Sequence, residues 1–290
     1  MSATDGLKVK GVKMIVAHKV QLEYENIKPK IGSRILNSKE ELLSGALSDE
    51  INDLLEERGM LLFPQVNFTE EEQIAFTNKQ GTLANEVFGA TIYNITADAK
   101  VNPRAEFLKG ASFWHIDGTT NKRPIRGTIL TSKVLSSWGG ETEFSNCYAA
   151  YDDLPEDEKK QLAGLKAMHG TWPSLFYYDP EPSQEKLEGL VAMGQRDLPL
   201  VWEHKSGRKS LVIGNTAHHV IGMDPTESVL LLNRLREWAT REPYTYTHDW
   251  KVGDTVMYDN TGAMHRARPF DPTSGRLLHR TIMVGGETLE

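Results

Sequence analysis

A chain of 290 residues, 39% apolar and 25% charged, is long enough to bury a sizeable core, and its net charge of −7 makes nucleic acid or an anionic membrane surface a poor partner. No apolar run approaches the roughly 18 to 20 residues of a membrane span, and the opening MSATDGLKVKGVKMIVAHKV lacks an apolar signal core, so a cytoplasmic location is expected. A single cysteine, Cys147, excludes an internal disulfide and a thiolate metal site, whereas nine histidines leave a site of imidazole and carboxylate open.

No internal repeat and no Pro/Gly/Ser linker divides the sequence, and one domain over residues 1–290 is expected. Leu42, Leu43, Leu47, Ile51, Leu54 and Leu55 recur at helical spacing and predict one amphipathic helix over 38–59, capped by Ser38. Residues 60–64 read as a short buried strand. Thr69 and Glu72 then form a capping box that opens a helix ending at Gly81. From 85 to 110 the pattern fades into a polar stretch of the kind that forms a flap. Strands are predicted beyond it at 112–117, 127–134, 142–144, 200–204, 210–214, 255–258 and 277–284, with Ser206 and Gly207 turning a hairpin. Pro155 and Pro225 open two further helices. Many short strands with a few helices predict a mainly β (α+β) fold, a β-sandwich or jelly roll with helices packed outside.

The segment Phe113-Trp114-His115-Ile116-Asp117 carries the sharpest chemistry. On a strand, residues i and i+2 share a face, so His115 and Asp117 project together while Trp114 and Ile116 point the other way. Taken alone, such a pair also describes a surface contact or a structural histidine. His265, delivered just after a strand and a turn, is the candidate third ligand. Two imidazoles and a carboxylate on one face of an octahedral ion leave three positions open, as in oxygen-activating non-haem Fe(II) sites. Zinc prefers a closed tetrahedron or a single open position, and a zinc-dependent hydrolase stands as the alternative class.

A chelating 2-oxo acid would fill two open positions and O2 the third, with an arginine on the distal carboxylate. Alternation along 276–284 puts Arg276, Leu278, Arg280 and Ile282 on one face. Two inward guanidiniums on an apolar strand are costly unless each meets an anion. His169, His204, His248 and His279 read as structural or surface residues. Trp250 and Tyr258 are expected in the core, Tyr258 close enough to border the metal, and Cys147 reads as a buried small hydrophobe.

These residues resemble the Fe(II)/2-oxoglutarate-dependent dioxygenases of the taurine dioxygenase and phenoxyacetate-herbicide dioxygenase (TauD/TfdA) family. The resemblance runs through LLFPQ (61–65), FWHID, GGETEF (139–144), GDTVMYDN, HRARPF and RLLHRTIMVGG, and so covers most of the chain. It implies a double-stranded β-helix, His115, Asp117 and His265 as iron ligands, and Arg276 with Thr142 on the distal carboxylate of 2-oxoglutarate. Arg280 matches a second arginine that binds the substrate's acid group in several members.

The implied reaction consumes O2 and 2-oxoglutarate, releases succinate and CO2, and hydroxylates a small anionic substrate, with bond cleavage where the hydroxylated carbon bears a heteroatom. Ala111 stands where taurine-specific members carry asparagine, which argues against taurine. LVIGNTAHHVIGMDPTES (211–228) is similar to the aryloxyalkanoate-herbicide enzymes. Tyr93, Phe107, Phe113 and Trp114 would suit an apolar substrate body. An aryloxyalkanoate-like carboxylate is the expected substrate, with a sulfonate, an alkyl sulfate or an amino-acid derivative as alternatives. The resemblance also implies a homo-oligomer, a dimer or tetramer.

Overall fold

The computed structural model describes residues 20–85 and 89–289. Its largest sheet has eight strands, in the order Tyr24–Asn26, Ser33–Ile35, Met60–Phe63, Thr255–Asp259, Ile125–Val134, Leu277–Val284 and Leu83–Ala84, with Tyr93–Ile95 also paired to Leu277–Val284. The central strands are rich in β-branched and apolar residues, and Met60–Phe63 and Thr255–Asp259 are buried throughout, as strands covered on both faces must be.

A three-stranded sheet of Thr245–His248, Thr142–Asn146 and Ala263–Ala267 packs against this one. Phe144 meets Tyr258 at 5.4 Å between ring centroids, and both join Leu130, Val256 and Leu278 in one buried cluster. A second three-stranded sheet (Ala217–Val220, Lys166–Gly170, Gln195–Pro199) and the hairpin Val201–Glu203/Lys209–Leu211 complete a mixed, β-rich α+β fold. Among the described residues no helix is long and apolar enough to cross a membrane.

The structure corrects the single helix expected over 38–59. Lys39–Ser44 and Ser48–Arg58 are separate, because Gly45 adopts φ 79° and ends the first one. The apolar stripe is nevertheless continuous: Leu42, Leu47, Ile51, Leu54 and Leu55 share a cluster with Phe63 and Phe76. Ser38 caps the first helix, and the Thr69/Glu72 capping box opens Glu70–Gln80 as expected. The helices at the two prolines are Glu156–Leu162 and Pro225–Ala239, the latter capped by Asp224. His218 and His219 belong to the strand Ala217–Val220.

His169, on Lys166–Gly170, is fully buried with Nδ1 3.0 Å from Thr216 Oγ1, and burial pushes its pKa from 6.5 down to about 4. The unfolded chain therefore binds the proton more readily than the folded one. Stability from this residue is complete above about pH 6.5 and is lost as pH falls toward 4, by up to about 3 kcal/mol. Urea midpoints measured from pH 7 to 4.5 should fall less steeply in His169→Asn than in the parent chain. Parallel slopes would remove His169 as the cause.

Candidate metal centre

Residues 113–117 belong to no sheet, which corrects the strand expected over 112–117. Ala105–Ser112 is a 3-10 helix, and among the described residues the one ladder contact of 113–117 is the bridge from His115 to His265, closed by main-chain hydrogen bonds of 3.1 and 3.0 Å. The alternation of side chains holds all the same. Trp114 and Ile116 join a buried cluster, while His115 and Asp117 line one cavity with His265. His265 sits mid-strand on Ala263–Ala267, paired to Thr142–Asn146.

His115 Nε2 lies 3.5 Å from Asp117 Oδ1, and His265 Nε2 lies 3.6 Å from Asp117 Oδ2. One donor atom from each residue falls within 4.8 Å of the others, and this is the one such cluster among the described residues. Neighbouring donors on an octahedral ion with bonds of about 2.1 Å stand about 3 Å apart, so a small contraction would seat a cation. His115 Nδ1–H donates to the Phe113 carbonyl at 2.8 Å, a partner that can only accept. That bond fixes the tautomer and leaves the Nε2 lone pair facing the cavity.

The electrostatics prepare the same atoms. Burial alone would raise the Asp117 pKa, but His265, His115 and Arg280 outweigh it and hold the carboxylate ionised far below its usual range. Burial, reinforced by His115, pushes His265 down to about 3, so its imidazole is neutral at physiological pH and available as a ligand. The Tyr258 hydroxyl lies 3.3 Å from Asp117 Oδ2 and 3.2 Å from His265 Nε2. Burial and the Asp117 charge push its pKa well above 10, keeping it a protonated phenol.

Arg276, 3% exposed, donates Nη2–H to the Gly140 carbonyl at 2.8 Å and lies 4.7 Å above the Phe270 ring. Gly140, at φ +88°, is required there, since a Cβ would fall 2.8 Å from Arg276 Nε. Burial lowers the Arg276 pKa to about 10, which leaves it cationic at neutral pH. Thr142 Oγ1 accepts the Trp250 indole N–H at 3.0 Å. An indole offers no acceptor, so the Thr142 hydroxyl proton is directed elsewhere, and Thr142 lines the cavity. Arg280 lies 3.6 Å from Asp117 Oδ2 with its guanidinium 4.9 Å from the Tyr93 ring centroid.

The cavity, about 320 Å³, thus gathers His115, Asp117, His265, Thr142, Arg276 and Arg280, and Ala111 and Tyr93 also line it. Phe113 does not: its ring packs on Tyr177 at 5.2 Å, because the 3-10 helix that ends at Ser112 redirects residue 113 away from the face of His115. Trp114 is likewise taken up by the core, under the Arg266 guanidinium. The Phe107 side chain lies outside the described residues. Arg104, Phe270 and Asn260 belong to the site without having been foreseen. Arg104 lies in the polar stretch, where no periodicity assigns a facing, and Asn260 acts through main-chain contacts that side-chain patterns do not report.

A model of the TauD, TfdA family of taurine-catabolism dioxygenases matches residues 23–282. An (S)-phenoxypropionate/alpha-ketoglutarate-dioxygenase of Sphingobium herbicidovorans is 35% identical over 81% of this chain and 85% of its own length. An alpha-ketoglutarate-dependent 2,4-dichlorophenoxyacetate dioxygenase of a Burkholderia species is 37% identical over 84% of this chain and 89% of its own. The crystal structure of AAD-2 with Mn(II) and N-oxalylglycine superimposes with a TM-score of 0.80 at 25% identity, covering 93% of this chain and all of that one. Together with a cavity that joins a 2-His-1-carboxylate cluster to Arg276 and Arg280, these likenesses place the chain in the TauD/TfdA family of Fe(II)/2-oxoglutarate-dependent dioxygenases.

Proposed function

We propose that this chain is one catalytic domain with a double-stranded β-helix (jelly-roll) core that hydroxylates a small anionic organic substrate, best an aryloxyalkanoate-like carboxylate. The observation that carries it is the convergence of His115, Asp117 and His265 with Arg276 and Arg280 on one cavity. In this proposal the triad holds Fe(II), which when bound supplies O2 activation coupled to oxidative decarboxylation of 2-oxoglutarate to succinate and CO2.

The remaining roles fall to this chain's own groups. Arg276 offers a fork to the distal carboxylate of 2-oxoglutarate, and Thr142, its oxygen already engaged by Trp250, donates its proton to the same group. Arg280 takes the substrate's anion beside Ala111 and Tyr93, and Ile95, Leu108 and Met193 supply apolar walls for the substrate body. An arginine held 3.6 Å from a metal ligand places the bound anion, and hence the carbon next to it, close to the reacting centre. Cleavage follows where the hydroxylated carbon bears an ether oxygen.

A homo-oligomer belongs to the proposal, supported by Val229 and Leu230, 60% and 66% exposed on the helix Pro225–Ala239. A cytoplasmic location fits a chain whose one thiol, Cys147, is free and buried. The test is succinate release by the Fe(II)-loaded enzyme across aryloxyalkanoates, sulfonates, alkyl sulfates and acylated amino acids. Stimulation by the aryloxyalkanoates is expected. Stimulation by non-acidic compounds alone would remove the role given to Arg280, and stimulation by sulfates or sulfonates alone would replace the substrate class.

A further inference from the structure

The loop that carries Asp117 has no sheet to fix it, so something else must set the carboxylate at its distance from His265. Asn260, 1% exposed, is built into that gap. Its Oδ1 accepts the Asp117 main-chain N–H at 2.9 Å, and its Nδ2 donates to the Asp117 carbonyl at 2.8 Å and to the Ile125 carbonyl at 3.1 Å. Both partners of Nδ2 are carbonyls, which only accept, so the amide can sit in one orientation. The Asn260 main-chain N–H donates to the Arg126 carbonyl at 2.9 Å.

The turn that bears Asn260 is itself braced. Asp259 accepts from the Thr261 N–H and hydroxyl, at 2.9 and 2.6 Å, and from the Tyr148 hydroxyl at 3.1 Å. Gly262 lies so close beneath Tyr148 that a Cβ would fall 1.7 Å from the ring. This turn joins Thr255–Asp259, which carries Tyr258, to Ala263–Ala267, which carries His265. Asn260 therefore couples the Asp117 loop directly to the element that presents His265.

We infer that Asn260 is a positioning residue for the metal: by clamping both main-chain polar groups of Asp117 it fixes the carboxylate relative to His265 and so sets metal affinity. The inference rests on the proposed metal centre. An aspartate at 260 would lose both donated bonds and face a carboxylate against two carbonyl oxygens.

Titration of the apo protein with Co(II), followed by visible absorption, tests it. Asn260→Ala is expected to bind Co(II) about 10- to 100-fold more weakly, the range known for groups that orient metal ligands, with an altered absorption envelope. Asn260→Ser keeps one acceptor and one donor and should recover part of the affinity. Should the alanine variant fail to fold, the serine variant decides, with binding several-fold weaker than the parent expected. A folded variant that loses thermal stability yet keeps the parent's Co(II) affinity and spectrum overturns the inference, because a merely structural residue behaves in that way. Failure of the parent chain to bind Co(II) at all overturns the metal centre, and this inference with it.

Discussion

Asp117→Ala is expected to abolish substrate-dependent succinate formation and to weaken Fe(II) or Co(II) binding by more than about 100-fold, beyond what groups outside the coordination sphere contribute. Asp117 is the only anion in the cluster. Without it a cation would face two imidazoles with no anion, and the Arg280 guanidinium, now 3.6 Å from a missing partner, would add repulsion. The loop should keep its course, because Asn260 holds it through the main chain and the His115 to His265 bridge needs no side chain of residue 117. The two readouts are metal titration and succinate release, with the urea midpoint as a control for folding. Turnover near the parent level in a folded Asp117→Ala would sink the ligand assignment.

Arg276→Leu is expected to raise the Kd for 2-oxoglutarate by about 3 kcal/mol, roughly 100-fold, the scale of removing one partner from a buried charge pair. Metal affinity should stay unchanged, since Arg276 is held on Gly140 and Phe270 rather than on any of the three ligands. Lysine should not rescue the defect: it offers a point charge on a flexible stem where the buried fork is already oriented. Calorimetric titration of 2-oxoglutarate into the Co(II)-loaded protein separates the possibilities. An unchanged Kd would take the cosubstrate role from Arg276.

Much of this site was legible because strand alternation is a local rule that survives even where no sheet forms. His115 and Asp117 face one way and Trp114 and Ile116 the other, although a single bridge is all that holds residues 113–117 in a ladder. Arg276 and Arg280 were legible for the same reason, as two charges on one face of an apolar strand. The strand Leu277–Val284 matched its expected bounds because its apolar run is bounded by turn residues.

What escaped the sequence depended on tertiary partners. Gln195–Pro199, Ala217–Val220 and Thr245–His248 are short, polar or histidine-bearing, and only their neighbours in the sheet make them strands. The break at Gly45 left no mark on the leucine spacing, since both helices bury the same stripe. Phe113 was placed in the cavity because it is aromatic and adjacent to a ligand. Alternation itself would set residue 113 on the ligand face, but the 3-10 helix that ends at Ser112 redirects it toward Tyr177.

The central claim is that the cavity runs an oxygen-dependent decarboxylation of 2-oxoglutarate. Its most direct test is the stoichiometry of O2 uptake to succinate release by the Fe(II)-loaded protein, with and without an aryloxyalkanoate. One succinate per O2 consumed, with both dependent on Fe(II) and 2-oxoglutarate and both stimulated by the aryloxyalkanoate, is the predicted result. Turnover that proceeds with zinc in the absence of O2, leaving 2-oxoglutarate intact, would contradict it.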